Sequence, residues 1–419
     1  MSGILEAARA TLRANDRGGY TVPTARLYPF QWNWDSAFAA MGFATFDTAR
    51  AWREIERLLE GQWADGMIPH IVFHAPSDDY FPGPAVWGTI HTPPTSGITQ
   101  PPVLATAVRR LYDAAHDRAD AEARAAAIYP ALLASHRWWR RARDPDGRGF
   151  VAILHPWESG MDNSPAWDGA MARVPTETST PIARRDTGHV DHRMRPRGED
   201  YLRYIHLVDC FHAAGWEPAR MYAASPFCMA DPATNAILLR AERDLLELAR
   251  RFGSVAEQAE IAARIERLRE GLGTLWNARA GLWCARDLID DAPVGVGISA
   301  GLLGLWARAA TPAQSAAVVA TLGRWAGRVR FLVPSTDPDS PAFEPLRYWR
   351  GPVWGMMNWM IADGLDWAGE AALAARVRAD TIAVIDGAGL CEYFDPTDGK
   401  GAGGTDFSWT AAIRLLLAG

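Results

Sequence analysis

Between residues 2 and 417, apolar side chains recur at helical spacing in about a dozen segments, and no stretch alternates over the length of a strand. This pattern points to an all-α fold. Residues 2–15 place Ile4, Leu5, Ala8 and Leu12 on one face. An alanine-rich helix is expected over 36–46, and Asp47 is placed to cap the next, which runs to about Trp63. Further helices are expected over 99–116, 119–141 (bent at Pro130), 201–212, 231–252, 255–276, 297–308, 312–328, 352–365, 368–385 and 406–417.

The connections are long and unusual in composition. The chain has 19 Trp, a residue that buries large area and stacks on flat apolar faces. Trp32, Trp34, Trp87, Trp157, Trp167, Trp349 and Trp354 sit beside Gly, Pro, Asp or Asn rather than within apolar faces, which suggests a pocket built on loops. Residues 76–94 and 334–350 read as loops. Residues 175–198 lack periodicity and carry Arg184, Arg185, Asp186, His189, Asp191, His192, Arg193, Arg195 and Arg197. Long loops in compact domains tend to carry function. A closed ring of about six helix pairs, an α/α toroid, would gather such loops at one end, beside helix termini with polar groups to spare. We expect one domain over 1–419, with a lid inserted around 165–200.

A net charge of −6 gives no footprint for nucleic acid. Cys210, Cys228, Cys284 and Cys391 are scattered without zinc-site spacing and suit a reducing compartment. No apolar run approaches membrane-spanning length. Residues 1–13 mix charges and lack the apolar core of a signal peptide. The expected location is the cytoplasm, with no membrane partner.

Chemistry concentrates in residues 157–168, where Glu158, Asp162 and Asp168 lie between Trp157 and Trp167, with Gly160 and Pro165 breaking regular structure. A carboxyl beside aromatic faces is poorly solvated, keeps its proton more readily and can act as an acid near neutral pH. The two indoles can wall the apolar face of a sugar ring. The alternative is a polar loop in which Asp162 and Asp168 cap helices.

Read together, Gln31-Trp32-Asn33-Trp34-Asp35-Ser36, Glu158-Ser159-Gly160-Met161-Asp162-Asn163-Ser164, Tyr348-Trp349-Arg350-Gly351-Pro352-Val353-Trp354 and Glu392-Tyr393-Phe394-Asp395-Pro396 resemble glycoside hydrolase family 63, and also the related trehalases. Tyr20-Thr21-Val22-Pro23 and Leu27-Tyr28-Pro29 resemble the bacterial mannosylglycerate and glucosylglycerate hydrolases within it. The resemblance implies an (α/α)6 barrel and an inverting α-glycosidase, with Asp162 in the place of the general acid and Glu392 in that of the general base. Such a pair needs one protonated and one ionised carboxyl, roughly 6.5–9.5 Å apart, with water between. Trp32, Trp34, Asp35, Trp349, Gly351 and Trp354, with Trp157 and Tyr348, then fall in the sugar pocket. For Trp354, within an expected helix, core packing is the strongest competing reading. Tyr28, Gln100, Arg195 and Tyr201 match a set that binds a glycerate carboxylate, a task suited to an arginine fork with tyrosyl and amide donors. Arg193 or Arg197 could stand in for Arg195.

The implied substrate is a small anionic glycoside, 2-O-α-mannosyl- or 2-O-α-glucosyl-D-glycerate. A neutral α-glucoside and a catalytically silent sugar-binding protein are the rival readings. His189-x-Asp191-His192 is a weak metal pattern, and the hydrolysis requires neither metal nor cofactor. The resemblance is compatible with monomers or with homo-oligomers.

Overall fold

Two kinds of helix build the molecule, and burial tells them apart. The computed structural model describes residues 2–418, in which the helix Asn33–Ala44 is buried at every position from Asn33 to Phe43. Its side chains are mostly small or apolar all round, as a helix enclosed on every side requires. Gly355–Trp367 and Ser408–Leu416 are buried almost as completely. By contrast, Thr48–Leu59 buries Ala51, Trp52, Glu54, Ile55 and Leu58 and turns Arg53 to solvent, the stripe of an outer helix.

The enclosed helices close on themselves. Asn33–Ala44, Leu104–Ala114, Pro232–Phe252, Leu303–Trp306, Gly355–Trp367 and Ser408–Leu416 each pack on the next, and the last returns to the first. Gly42 makes that closure tight, since a Cβ there would lie 2.5 Å from the Ala412 Cβ. Outside the ring, Ser2–Ala14, Thr48–Leu59, Arg118–Arg143, Val255–Gly273 and Ala371–Ala388 each cover an inner helix, and Pro312–Ala326 lies over the strand Leu282–Trp283. This is the expected (α/α)6 barrel. No helix among the described residues is long and apolar enough to cross a membrane.

The details differ from the sequence reading in several places. The expected helix over 297–308 is a 3-10 turn, Ser299–Leu302, leading into the short helix Leu303–Trp306. Trp354 precedes the helix Gly355–Trp367 as its cap residue instead of lying inside it. The first part of the expected 165–200 insertion is ordered as the turn Pro165–Trp167 and the helix Asp168–Arg173, and its last residues open the helix Gly198–Ala213. The irregular segment is therefore 174–197. Two-residue ribbons, too short for a sequence pattern, pin the loops that lead into inner helices: Gln31–Trp32 pairs with Ile71–Val72, and Tyr393–Phe394 with Gly401–Ala402.

Asp47 does cap Thr48–Leu59, accepting a hydrogen bond from the Arg50 N–H at 3.0 Å. Asp47→Ala is expected to cost about 1 kcal/mol, read as a lower urea midpoint at unchanged slope. An unmoved midpoint would show that the cap contributes nothing.

Candidate active site

The stretch that opened the chemical argument sends its three carboxylates to three fates. Pro156–Ser159 forms a 3-10 turn that ends at Gly160, whose φ of +68° is left-handed and whose Cβ would lie 2.6 Å from the Trp34 ring. Only glycine meets both demands. Glu158 points into the core, where Arg143 Nη2 donates to it at 2.6 Å and the Leu154 N–H at 2.8 Å. Asp168 pairs at the surface with both amino nitrogens of Arg350, each at 2.8 Å. Of the three, Asp162 alone reaches the cavity that Glu392 also lines, with its carbonyl fixed by the Tyr204 hydroxyl at 2.9 Å. Neither aspartate acts as an N-cap.

That cavity has an empty volume of about 710 Å³ counted to its open mouth, within the usual range for small-molecule sites. Asp162, Glu392, Asp35 and Arg195 line it, together with Tyr28, Gln100, Tyr201 and Tyr348 and the rings of Trp32, Trp34 and Trp157. Positions as far apart as Tyr28 and Glu392 thus meet because every contributing loop lies at one end of the ring.

Three expected pocket residues do not line it. Trp349 has a left-handed φ of +59° and stacks on Trp354 at 3.8 Å and 5°. Both indoles are buried behind the wall, with Trp349 backing Trp34 at 6.2 Å. Gly351 is a packing glycine, because a Cβ there would lie 2.6 Å from the Glu344 carbonyl. Trp167 is likewise absent from this wall; its Nε1 donates to the Met161 carbonyl at 2.9 Å. Conversely, His70, Tyr80, Phe81, Asp186, Tyr204, Phe407 and Trp409 line the cavity without having been singled out. Tyr80 and Phe81 belong to the aromatic loop over 76–94, the one signal that could have found them.

Glu392 is completely buried and held from several sides. The Gly404 N–H donates to its Oε2 at 2.9 Å and the Tyr28 hydroxyl to its Oε1 at 3.1 Å, while Trp409 Nε1 fixes its carbonyl at 3.0 Å. Burial raises its pKa, and the Arg195 charge and hydrogen bonds from the Gly404 N–H, Tyr28 and Tyr348 pull it back. Asp162 is held more sparsely, and burial pushes it up to about 7 against the opposing Arg195 charge and a hydrogen bond from its own backbone N–H. Asp35 is raised well above its ordinary value by burial, then by Glu392 and Asp162. One cavity therefore holds a carboxyl that keeps its proton near neutrality and another supplied with donors for its anion, the division that acid–base chemistry requires.

Of the three arginines considered, burial selects Arg195. Arg193 and Arg197 are exposed and face Asp191 and Glu344. Arg195 Nε donates to Asp186 at 3.0 Å and Nη1 to the Tyr28 hydroxyl at 2.7 Å, with the guanidinium 4.3 Å above the Tyr348 ring. Although burial opposes it, hydrogen bonding from Arg184 and the Arg195 charge hold Asp186 at about 2. Gln100 Oε1 accepts from the Trp34 N–H at 3.3 Å, which leaves its amide NH₂ for a ligand. Tyr201 lines the cavity, but its proton is committed to the Phe81 carbonyl at 2.6 Å, so towards a carboxylate it is not the free donor expected. Trp32 Nε1 donates to His70 Nε2 at 3.2 Å, and burial keeps that imidazole neutral beneath the Trp157 ring.

Residues 28–410 match the family model described as Mannosylglycerate hydrolase MGH1-like glycoside hydrolase domain. The chain is 50% identical over 412 residues to mannosylglycerate hydrolase MGH1 of Selaginella moellendorffii, covering 98% of this chain and 84% of that protein. It is also 50% identical over 408 residues to the mannosylglycerate hydrolase of Thermus thermophilus, covering 97% and 98%. The crystal structure of a family 63 mannosylglycerate hydrolase from Thermus thermophilus in complex with Tris and D-glycerate superposes with a TM-score of 0.97 at 49% identity, over 99% of this chain and 100% of that one. The chain belongs to the mannosylglycerate hydrolase MGH1-like family of glycoside hydrolases, within family 63.

Proposed function

We propose that this enzyme hydrolyses 2-O-α-mannosyl-D-glycerate, 2-O-α-glucosyl-D-glycerate or both, with inversion, to free hexose and D-glycerate. The observation that carries the reading is the joint presence, in one cavity, of Asp162 raised to about 7 and the donor-held carboxylate of Glu392, beside the buried cation of Arg195. Asp162 gives its proton to the glycerate oxygen as the bond from C1 breaks. Glu392 takes a proton from the water that attacks C1 from the opposite face. Trp32, Trp34 and Trp157 border the sugar, and Asp35 grips its hydroxyls. Arg195 and the Gln100 amide meet the glycerate carboxylate, with the Tyr28 ring bordering it, while segment 174–197 acts as a lid that excludes bulk water. The four free cysteines suit the reducing cytoplasm, where we place the activity.

The test is to supply each synthetic glycerate glycoside and record proton NMR spectra from the first minutes. Release of the β-hexose before mutarotation is expected, and the faster substrate settles the epimer. Initial release of the α-anomer would refute inversion. Cleavage of trehalose or another neutral α-glucoside in place of both would refute the glycerate pocket.

A further inference from the structure

The hydroxyl of Tyr28 stands between the cation of Arg195 and the carboxylate of Glu392, at 2.7 Å from the first and 3.1 Å from the second. The guanidinium has donors only. Tyr28 must therefore accept from Arg195, and its single proton is turned away from that side. Two oxygens are in reach of it: Glu392 Oε1, and the Tyr348 hydroxyl at 3.3 Å. The carboxylate is the nearer and the charged acceptor, so it takes the proton. The other oxygen of Glu392 is occupied by the Gly404 N–H. No room exists for a bulkier clamp on that side, because a Cβ on Gly403 would lie 2.3 Å from Oε2.

Arg195 is itself fixed from behind. Asp186 holds its Nε, and Arg347 donates to its carbonyl at 3.0 Å, so the cation is carried by the irregular segment 174–197 and locked onto the barrel. Glu392 faces Arg195, Tyr28 and Tyr348, the carboxyls of Asp162 and Asp35, and Tyr393 and Cys391 on its own strand and turn. Among these Arg195 is the only cation.

We infer that Tyr28, ordered by Arg195, is a positioning residue for the base as well as part of the aglycone site: the arginine fixes the direction of the hydroxyl, and the hydroxyl holds Glu392 ionised and aimed at the water. The inference rests on Glu392 being the base. It makes the base complete only while segment 174–197 is seated, which ties closure over the substrate to activation of the water.

A substrate without glycerate separates this role from carboxylate binding. An α-mannosyl or α-glucosyl fluoride needs no acid: water attacks C1, the C1–F bond breaks, fluoride leaves, and the water's proton passes to Glu392. On this substrate Tyr28→Phe is expected to lower kcat by about tenfold or more, the worth of one hydrogen bond to a charged group. The acidic limb of its pH profile should move upwards, because a carboxylate that has lost a donor is protonated at higher pH. Arg195→Met should move the limb the same way, and the double variant no further than Arg195→Met alone, since the two act along one line. Melting temperatures of the variants establish that each is folded.

Tyr28→Phe within about twofold of the parent on the fluoride, with an unmoved limb and a loss confined to the glycerate glycoside, would overturn the inference and leave Tyr28 an aglycone contact. Glu392→Gln is the control. If it hydrolyses the fluoride as fast as the parent, the identity of the base has failed, and with it the premise of the relay.

Discussion

Asp162→Asn is expected to lower kcat on the glycerate glycoside by about 10³-fold or more, the upper part of the range for removing a general acid, while the same variant keeps most of its rate on the corresponding glycosyl fluoride. The contrast follows from the leaving groups. A glycerate alkoxide is too basic to depart unprotonated, whereas fluoride departs without help. The pH dependence has a definite sign. Asp162 works in its protonated form, and burial places its pKa at about 7, so kcat/KM should fall as pH rises through that value. The residual activity of Asp162→Asn should lack this limb. Stability of the parent should fall in the same direction, as pH rises, whereas the substitution should lower activity and raise stability. The folded-state pKa lies above the unfolded 3.8, so folded protein binds more protons than unfolded between pH 3.8 and about 7 and loses stability as pH rises across that window. The neutral Asn does not carry that cost. Its melting temperature should exceed the parent's at pH 7 and converge with it near pH 4. Comparable losses on both substrates, or a variant less stable than the parent at pH 7, would refute Asp162 as the acid.

Much of this was readable in the residues because the barrel writes its two helix types in composition. The all-round small and apolar faces of Asn33–Ala44, Gly355–Trp367 and Ser408–Leu416 announce inner helices, and the Ala51, Trp52, Ile55 and Leu58 stripe announces an outer one. Asp162 and Glu392 were placed by motif, and the fold brings them into one cavity. What was not readable is direction. A Trp beside Gly or Pro looks the same in sequence whether its ring faces the cavity, as Trp34 does, or stands behind it, as Trp349 and Trp354 do. Trp409, within a helical segment, carried no sign that its edge would reach the site. Arg193, Arg195 and Arg197 alternate along one loop, and only burial against Asp186 and Tyr28 distinguishes the middle one. Tyr201 was expected to donate to a carboxylate, but a backbone acceptor, the Phe81 carbonyl, takes its proton. Such commitments depend on which backbone groups come near, and loop composition does not encode that.

Glu392→Gln should fail on both substrates, by about 10³-fold or more, because neither the glycerate glycoside nor the fluoride can be attacked by water that no group deprotonates. That double failure separates the base from the acid, whose removal spares the fluoride. The substitution is nearly isosteric. The Gln oxygen can still accept from the Gly404 N–H, and its amide can turn towards Tyr28, whose proton is then free to move to Tyr348. Packing is therefore retained, and the carboxylate that burial disfavours is gone. Since the folded-state pKa of Glu392 is raised, its ionised form costs stability at pH values above the unfolded value of 4.5, and Glu392→Gln should melt at a higher temperature than the parent at pH 7. Sites that hold charge in poorly solvated places for chemistry commonly trade stability for activity in this way. The informative pair of measurements is thus the rate on glycosyl fluoride and the melting temperature at pH 7. A slow, stabilised variant places a buried base at position 392. A slow variant that melts earlier would mean that Glu392 holds the Tyr393–Phe394 ribbon and the Gly401–Gly404 turn together, and that the rate was lost with the architecture. A fast one would mean that the water is activated elsewhere, and Asp35, the remaining buried carboxyl of the cavity, would be the residue to change next.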